Sequence, residues 1–156
     1  MVNEGDVAPD VTLQMGDGSE IKLSQLKRPL VLYFYPKDDT SGCTAEAKDF
    51  SALAAAFEIE GTSLLGVSKN SPKDHAKFTT KYDLKVPLAT DADGHVTEAF
   101  GVWVQKSMYG RKYMGMERSS FLISGDGKVL KEWRKVKVPG HAEEVLSAVR
   151  EIDSAV

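Results

Sequence analysis

The run from Pro29 to Tyr35 (Pro-Leu-Val-Leu-Tyr-Phe-Tyr) constrains the fold more than any other stretch. It is too short for an ordinary helix and too uniformly apolar for a strand with one wet face. It therefore predicts a central strand covered on both sides. Pro36 ends that strand, because proline cannot donate to a sheet ladder. A polar loop follows, and then Phe50, Leu53, Ala54 and Phe57 recur at the i, i+3, i+4, i+7 spacing of an amphipathic helix. This spacing predicts a helix from about Gly42 to Phe57, punctuated by Gly61.

The rest of the chain supplies the cover. Val11–Gln14 and Ile21–Leu23 flank Gly16-Asp-Gly18 as a hairpin, and Ser24–Leu26 reads as a short helical turn. Thr62–Ser68 is a second apolar strand. Pro72 suits the first turn of a helix that continues through Tyr82. Val86–Thr90 is a short strand, and His95–Phe100 a brief helix stopped by Gly101. Trp103–Met116 mixes aromatics with lysine and glycine and is expected to be an extended loop with a short strand. Ser119–Ser124 and Lys128–Trp133 flank Gly125-Asp-Gly127 as an antiparallel hairpin. Ala142, Val145, Leu146, Val149 and Ile152 form one face of a last helix. Helices alternating with strands imply crossover units and a three-layer α/β/α sandwich, thioredoxin-like, with an N-terminal β-hairpin.

The 156 residues fit one domain spanning positions 1–156. A net charge of −3 with mixed signs offers no basic block for nucleic acid. No apolar run approaches a membrane span. The start, Met1-Val-Asn-Glu, lacks the cationic and apolar regions of a signal peptide. Cys43 is the only cysteine, so no intramolecular disulfide can form, and the expected location is cytoplasmic.

Cys43 falls at the loop-to-helix junction, among Thr40, Ser41, Gly42 and Thr44. Unpaired N–H groups and the positive end of the helix dipole favour a thiolate over a thiol at such a place. A small buried hydrophobe is the ordinary alternative. A dithiol motif is excluded, since Thr40 and Glu46 occupy the positions three before and three after. His75, His95 and His141 each sit beside polar residues near a helix start, which suits surface or capping histidines better than a catalytic base. They show no metal-ligand spacing, so no metal is expected. What remains is a thiolate supported by a helix end, a hydroxyl and a cation. Thr40 is close enough for its Oγ to meet the sulfur, or it can cap the helix. Arg118, immediately before the Ser119–Ser124 strand, is the candidate cation, with a plain surface arginine as the alternative.

Pro36-x-x-x-Thr40-x-x-Cys43 resembles the peroxiredoxin signature. Phe34–Asp38 and Gly42–Ala47 are similar to the Q-type branch, the bacterioferritin comigratory proteins. The likeness extends through Gly101–Trp103, Lys112–Gly115 and Arg118–Ile123. It implies a thiol-dependent peroxidase for hydrogen peroxide and organic hydroperoxides, without metal or bound cofactor. It makes Cys43 the peroxidatic nucleophile and Thr40 the group that orients the peroxide. Arg118 would stabilise thiolate and breaking O–O bond, Pro36 would shield the pocket, and Gly42 and Cys43 would offer backbone N–H groups. Glu46 would hold the arginine. Two departures stand out. Resolving cysteines of Q-type members fall where this chain has Lys48, or near Phe78 and Thr79, and Ser41 replaces the usual proline. The resemblance therefore implies a one-cysteine enzyme resolved by thioredoxin, glutaredoxin, glutathione or another external thiol. It also implies a monomer, with a Cys43–Cys43 dimer possible on oxidation. A redox sensor passing oxidation to a partner, and a non-catalytic thioredoxin-fold binding module, are the alternatives.

Overall fold

The computed structural model describes residues 2–154. In chain order the elements are β1 (Thr12–Met15), β2 (Glu20–Lys22), a 3-10 turn (Leu23–Gln25), β3 (Leu30–Phe34), α1 (Ser41–Ala52) and α2 (Ala54–Ile59). There follow β4 (Ser63–Ser68), α3 (Pro72–Tyr82), β5 (Leu88–Thr90), α4 (His95–Ala99), β6 (Trp103–Met108) and β7 (Arg111–Met116). The last three are β8 (Ser119–Ile123), β9 (Val129–Trp133) and α5 (His141–Ser154).

All five residues of β3 are buried, as the apolar run requires. The seven-stranded sheet has the order β2-β1-β5-β4-β3-β8-β9. The crossovers through α1–α2 and α3 make β3, β4 and β5 parallel neighbours. The hairpin β8–β9 adds antiparallel strands beside β3, and β1–β2 does so beside β5. The side-chain period of two along β3 divides the core. Leu30, Leu32 and Phe34 join Phe100 and Phe121 on one face. Val31, Tyr33 and Tyr35 join Cys43, Phe50, Phe57, Phe78 and Val145 on the other, beneath α1, α2, α3 and α5. The fold is thioredoxin-like, with its N-terminal hairpin at one edge.

The local structure departs from expectation in two places. The helix expected over Gly42–Phe57 is two helices. Leu53 takes φ −100° and ψ 3°, its N–H turning to the Phe50 and Ser51 carbonyls, and the chain restarts as α2. The break still carries Phe57 to within 6.1 Å of Phe50, so the apolar spacing survives it. Trp103–Met116 is not a loop but a two-stranded antiparallel arm, β6–β7. Its turn, Tyr109-Gly110, has φ of +51° and +77°. A two-residue hairpin with both φ positive normally announces itself as Asn-Gly or Asp-Gly. Tyrosine at the first position hides it.

Candidate active site

Tyr35 leaves β3 with its N–H still bonded to Val67 O at 3.1 Å, and the exposed Pro36 turns the chain away. Both aspartates of the loop are tied down. The Asp39 carboxylate accepts from Lys81 Nζ at 2.8 Å and Tyr82 Oη at 2.6 Å, which holds the residue at φ +58°. Asp38 is buried, where it accepts from Tyr35 Oη at 2.6 Å and lies 2.6 Å from His75 Nδ1. With the loop fixed at α3, Thr40 becomes the N-cap of α1, at φ −101° and ψ 158°.

Thr40 caps with its backbone alone, its carbonyl accepting the Thr44 N–H at 2.8 Å. Its hydroxyl donates to Lys37 O at 2.9 Å and makes no hydrogen bond to the cysteine sulfur. The side-chain cap weighed from sequence is therefore absent. Ser41 is the first helical residue, the position that proline's fixed φ suits best. Gly42 and Cys43 come next, and the sulfur sits in the first turn with Cys43 only 2% exposed.

Arg118 enters from the start of β8. Its Nη2 donates to Cys43 Sγ at 3.4 Å and its Nη1 to Glu46 Oε1 at 2.6 Å. Glu46 lies one turn along α1 and is 1% exposed. One planar guanidinium thus spans the sulfur and the carboxylate, which a lysine ammonium could not do in the same geometry. Burial pushes Glu46 up to about 7 against the pull of Arg118. Burial also draws Arg118 down, but the Glu46 and Cys43 charges more than offset it and hold the guanidinium above its ordinary value. Glu46 Oε2 has no hydrogen-bond partner among the described residues.

Gly42 makes room for this contact. A Cβ there would lie 3.1 Å from Arg118 Nη2. Gly42→Ala is expected to leave stability unchanged or raised by up to ~1 kcal/mol, as alanine is the better helix former. The peroxide turnover that the resemblance implies should fall severalfold as the guanidinium is displaced. Steady-state kinetics beside urea denaturation would read both, and unchanged kinetics would show that the arginine adapts.

The structure brings Cys43, Gly42, Glu46 and Arg118 into contact, with Thr40 and Pro36 on the loop that leads to them. Two of the three histidines differ from expectation, being buried rather than superficial. His75 Nε2 lies 3.0 Å from Ala89 O and its Nδ1 lies 2.6 Å from the Asp38 carboxylate. His141 Nε2 lies 2.8 Å from Ser120 Oγ. Burial lowers its pKa, helped by Arg118 and opposed by Glu144. Neither histidine hydrogen-bonds to Cys43. Near His75 the polar Ser71 caps α3 by accepting from Asp74 N–H, which says nothing about the sheet the ring turns toward.

Two features went unread in the sequence. Tyr33 stacks on Phe50 at 4.6 Å and lies over Gly66, where a Cβ would come within 2.7 Å of its ring. Burial first, then the nearby Glu46 and Cys43 charges, keeps its phenol protonated. Asp91, Asp93 and His95 place ligand atoms within 4.8 Å of one another. Asp91, however, uses its carboxylate to cap α4, accepting from Val96 and Thr97 N–H at 3.2 and 2.8 Å.

A helix-end cysteine under a guanidinium, on a thioredoxin-like sheet, defines a thiol peroxidase, and comparison with known proteins agrees. Residues 4–132 match the AhpC/TSA family, and the chain belongs to it. Peroxiredoxin Bcp of Xanthomonas campestris pv. campestris is 45% identical over 142 residues, covering 90% of this chain and 89% of that one. Peroxiredoxin Bcp of Bacillus subtilis is 44% identical over 149 residues, covering 95% of each. Among solved structures, the X. campestris bacterioferritin comigratory protein superposes with a TM-score of 0.88 at 41% identity over 98% of both chains. A cysteine-to-serine variant of Xylella fastidiosa PrxQ gives 0.90 at 39% over 97% of both.

Proposed function

We propose that Cys43 reduces hydroperoxides by direct attack and that a thiol from outside the chain returns it to the reduced state. The observation that carries this reading is the 3.4 Å approach of Arg118 Nη2 to a sulfur in the first turn of α1. The thiolate attacks the terminal peroxide oxygen. An S–O bond forms, the O–O bond breaks, and sulfur gives up two electrons. The departing alkoxide or hydroxide takes a proton from water, leaving a sulfenic acid. Charge develops on that departing oxygen, where preorganised donors are most effective. Arg118 and the free N–H groups of Gly42 and Cys43 are those donors. Thr40 Oγ, with its proton committed to Lys37 O, keeps lone pairs to accept from the peroxide. Pro36 flanks the entrance, and Glu46 fixes the guanidinium.

Cys43 is the only cysteine, and Lys48, Phe78 and Thr79 stand where the resemblance to Q-type members leads one to expect a resolving cysteine. The sulfenic acid therefore waits for an external thiol, which displaces water to give a mixed disulfide. A second thiol then releases Cys43. The same persistence supports a second reading, a redox sensor that passes its oxidation to a partner protein. Peroxide turnover compared across thioredoxin, glutaredoxin with glutathione, and dithiothreitol separates the two. Sustained turnover with at least one, lost in Cys43→Ser, is expected. Fast oxidation with no turnover on any thiol would favour the sensor.

A further inference from the structure

The β6–β7 arm stands outside the seven-stranded sheet, its two strands paired with each other. Its root is fastened. Lys69 Nζ lies 3.5 Å from the centre of the Trp103 ring, Glu117 N–H bonds to Val102 O at 2.7 Å, and Met116 is buried. The outer half is bare. Apart from Val7 and Ile59, the large apolar side chains left exposed among the described residues are Met108, Tyr109, Tyr113 and Met114, all on this arm. Met108 stands opposite Arg111, and Tyr113 follows two residues along, so these three share one face.

Tyr109 separates this arm from an ordinary hairpin. It is 99% exposed and holds φ +51°, a left-handed conformation that asparagine or glycine takes with less strain. A strained residue that adds no burial does nothing for the fold, so its use lies outside the chain. Tyrosine, methionine and arginine are also the types that protein interfaces favour. The charge is one-sided. Residues 103–116 hold Lys106, Arg111 and Lys112 and no acid, in a chain of net charge −3. An acidic surface with an apolar patch complements such an arm.

Position supplies the purpose. β7 ends two residues before Arg118, whose guanidinium reaches Cys43 Sγ at 3.4 Å. Cys43 is only 2% exposed, so a thiol arriving from outside has to be held beside it. We infer that the outer arm docks the protein that resolves Cys43, a dithiol protein whose reactive thiol lies on an acidic surface with an apolar patch. The inference rests on the peroxidase reading and adds the surface that receives its reductant. The step served is the one given above. One thiol displaces water from the sulfenic acid, and the second thiol of the same protein then releases Cys43 and closes that protein's own disulfide. A small tip is enough, because redox encounters are transient and bury little surface.

The protein probes are thioredoxin, and glutaredoxin with glutathione, corrected for glutathione alone. Dithiothreitol, which has no surface to dock, is the control. In Tyr109→Asn, whose Asn-Gly turn suits the hairpin, kcat/KM for the protein thiol is expected to fall about tenfold. Dithiothreitol-supported turnover and the first oxidation of Cys43 should not change. Arg111→Glu/Lys112→Glu should lower the protein-thiol value further, and the parent's value should drop as salt rises while that variant's does not. Thermal denaturation, expected to place Tyr109→Asn at or above the parent, separates docking from folding. Protein-thiol turnover within twofold of the parent in both variants would overturn the inference, as would turnover with dithiothreitol but with neither protein. A concentration-dependent dimer, or binding to phosphatidylserine vesicles, that Tyr109→Asn abolishes would give the arm another occupant and overturn it too. No turnover with any thiol, dithiothreitol included, would overturn the peroxidase reading instead.

Discussion

Arg118→Ala is expected to lower kcat/KM for hydrogen peroxide by roughly 10²–10³-fold, the usual cost of removing one preorganised donor from a developing oxyanion. The loss should be large because this guanidinium serves two partners, Sγ at 3.4 Å and Glu46 Oε1 at 2.6 Å, from one rigid fork. Arg118→Lys should recover only part of it, since one ammonium cannot reproduce both contacts. Stability should suffer less than activity. Breaking a buried ion pair typically costs about 3–5 kcal/mol when the remaining charge is trapped. Here Glu46, already pushed up to about 7, can take a proton instead. Stopped-flow oxidation of Cys43 alongside urea denaturation checks both halves. A variant that reacts within threefold of the parent chain would remove Arg118 from the chemistry.

Glu46→Gln should reshape the dependence of stability on pH. In the folded chain Glu46 titrates near 7 rather than at its ordinary 4.5, chiefly because it is buried. Between those values the folded chain holds a proton that the unfolded chain has lost, so this residue makes stability fall as pH rises. The full fall is roughly 3 kcal/mol, complete above pH 7. Buried His141 works the other way below its ordinary 6.5, since folding disfavours its charged form. The informative quantity is therefore the difference between variant and parent. Glutamine cannot ionise, so the variant should gain on the parent by about 3 kcal/mol from pH 4.5 to 8. Denaturation curves that run parallel across that range would contradict a buried, ionising Glu46.

The sequence carried the architecture where burial dictated residue type. Pro29–Tyr35 could only be a strand covered on both faces, and Val145 and Val149 could only line an inward helix face. It failed where geometry overrode local pattern. Tyr109 adopts a left-handed φ that is rare outside glycine, asparagine and aspartate, so the sequence pattern of residues 103–116 predicts an extended loop with a short strand rather than the paired β6–β7 arm. Leu53 breaks a helix whose apolar spacing runs straight through the break. At the site, the position of Cys43 at a helix start followed from spacing and punctuation. The pairing of residues 46 and 118, 72 positions apart, depends on β8 lying beside β3 in the sheet and was implied by family resemblance alone. The buried His75–Asp38 pair had no such guide, because its partners are ordinary loop and capping residues on the surface of the sequence pattern.

In the proposed mechanism Cys43 starts a peroxidase cycle that no second cysteine in the chain can finish. Intact mass spectrometry after one equivalent of hydrogen peroxide, with no thiol present, tests it most directly. The expected result is a gain of a single oxygen atom that dimedone traps, located at Cys43 and lost on adding a competent thiol. An unchanged mass, or the same gain in Cys43→Ser, would contradict it.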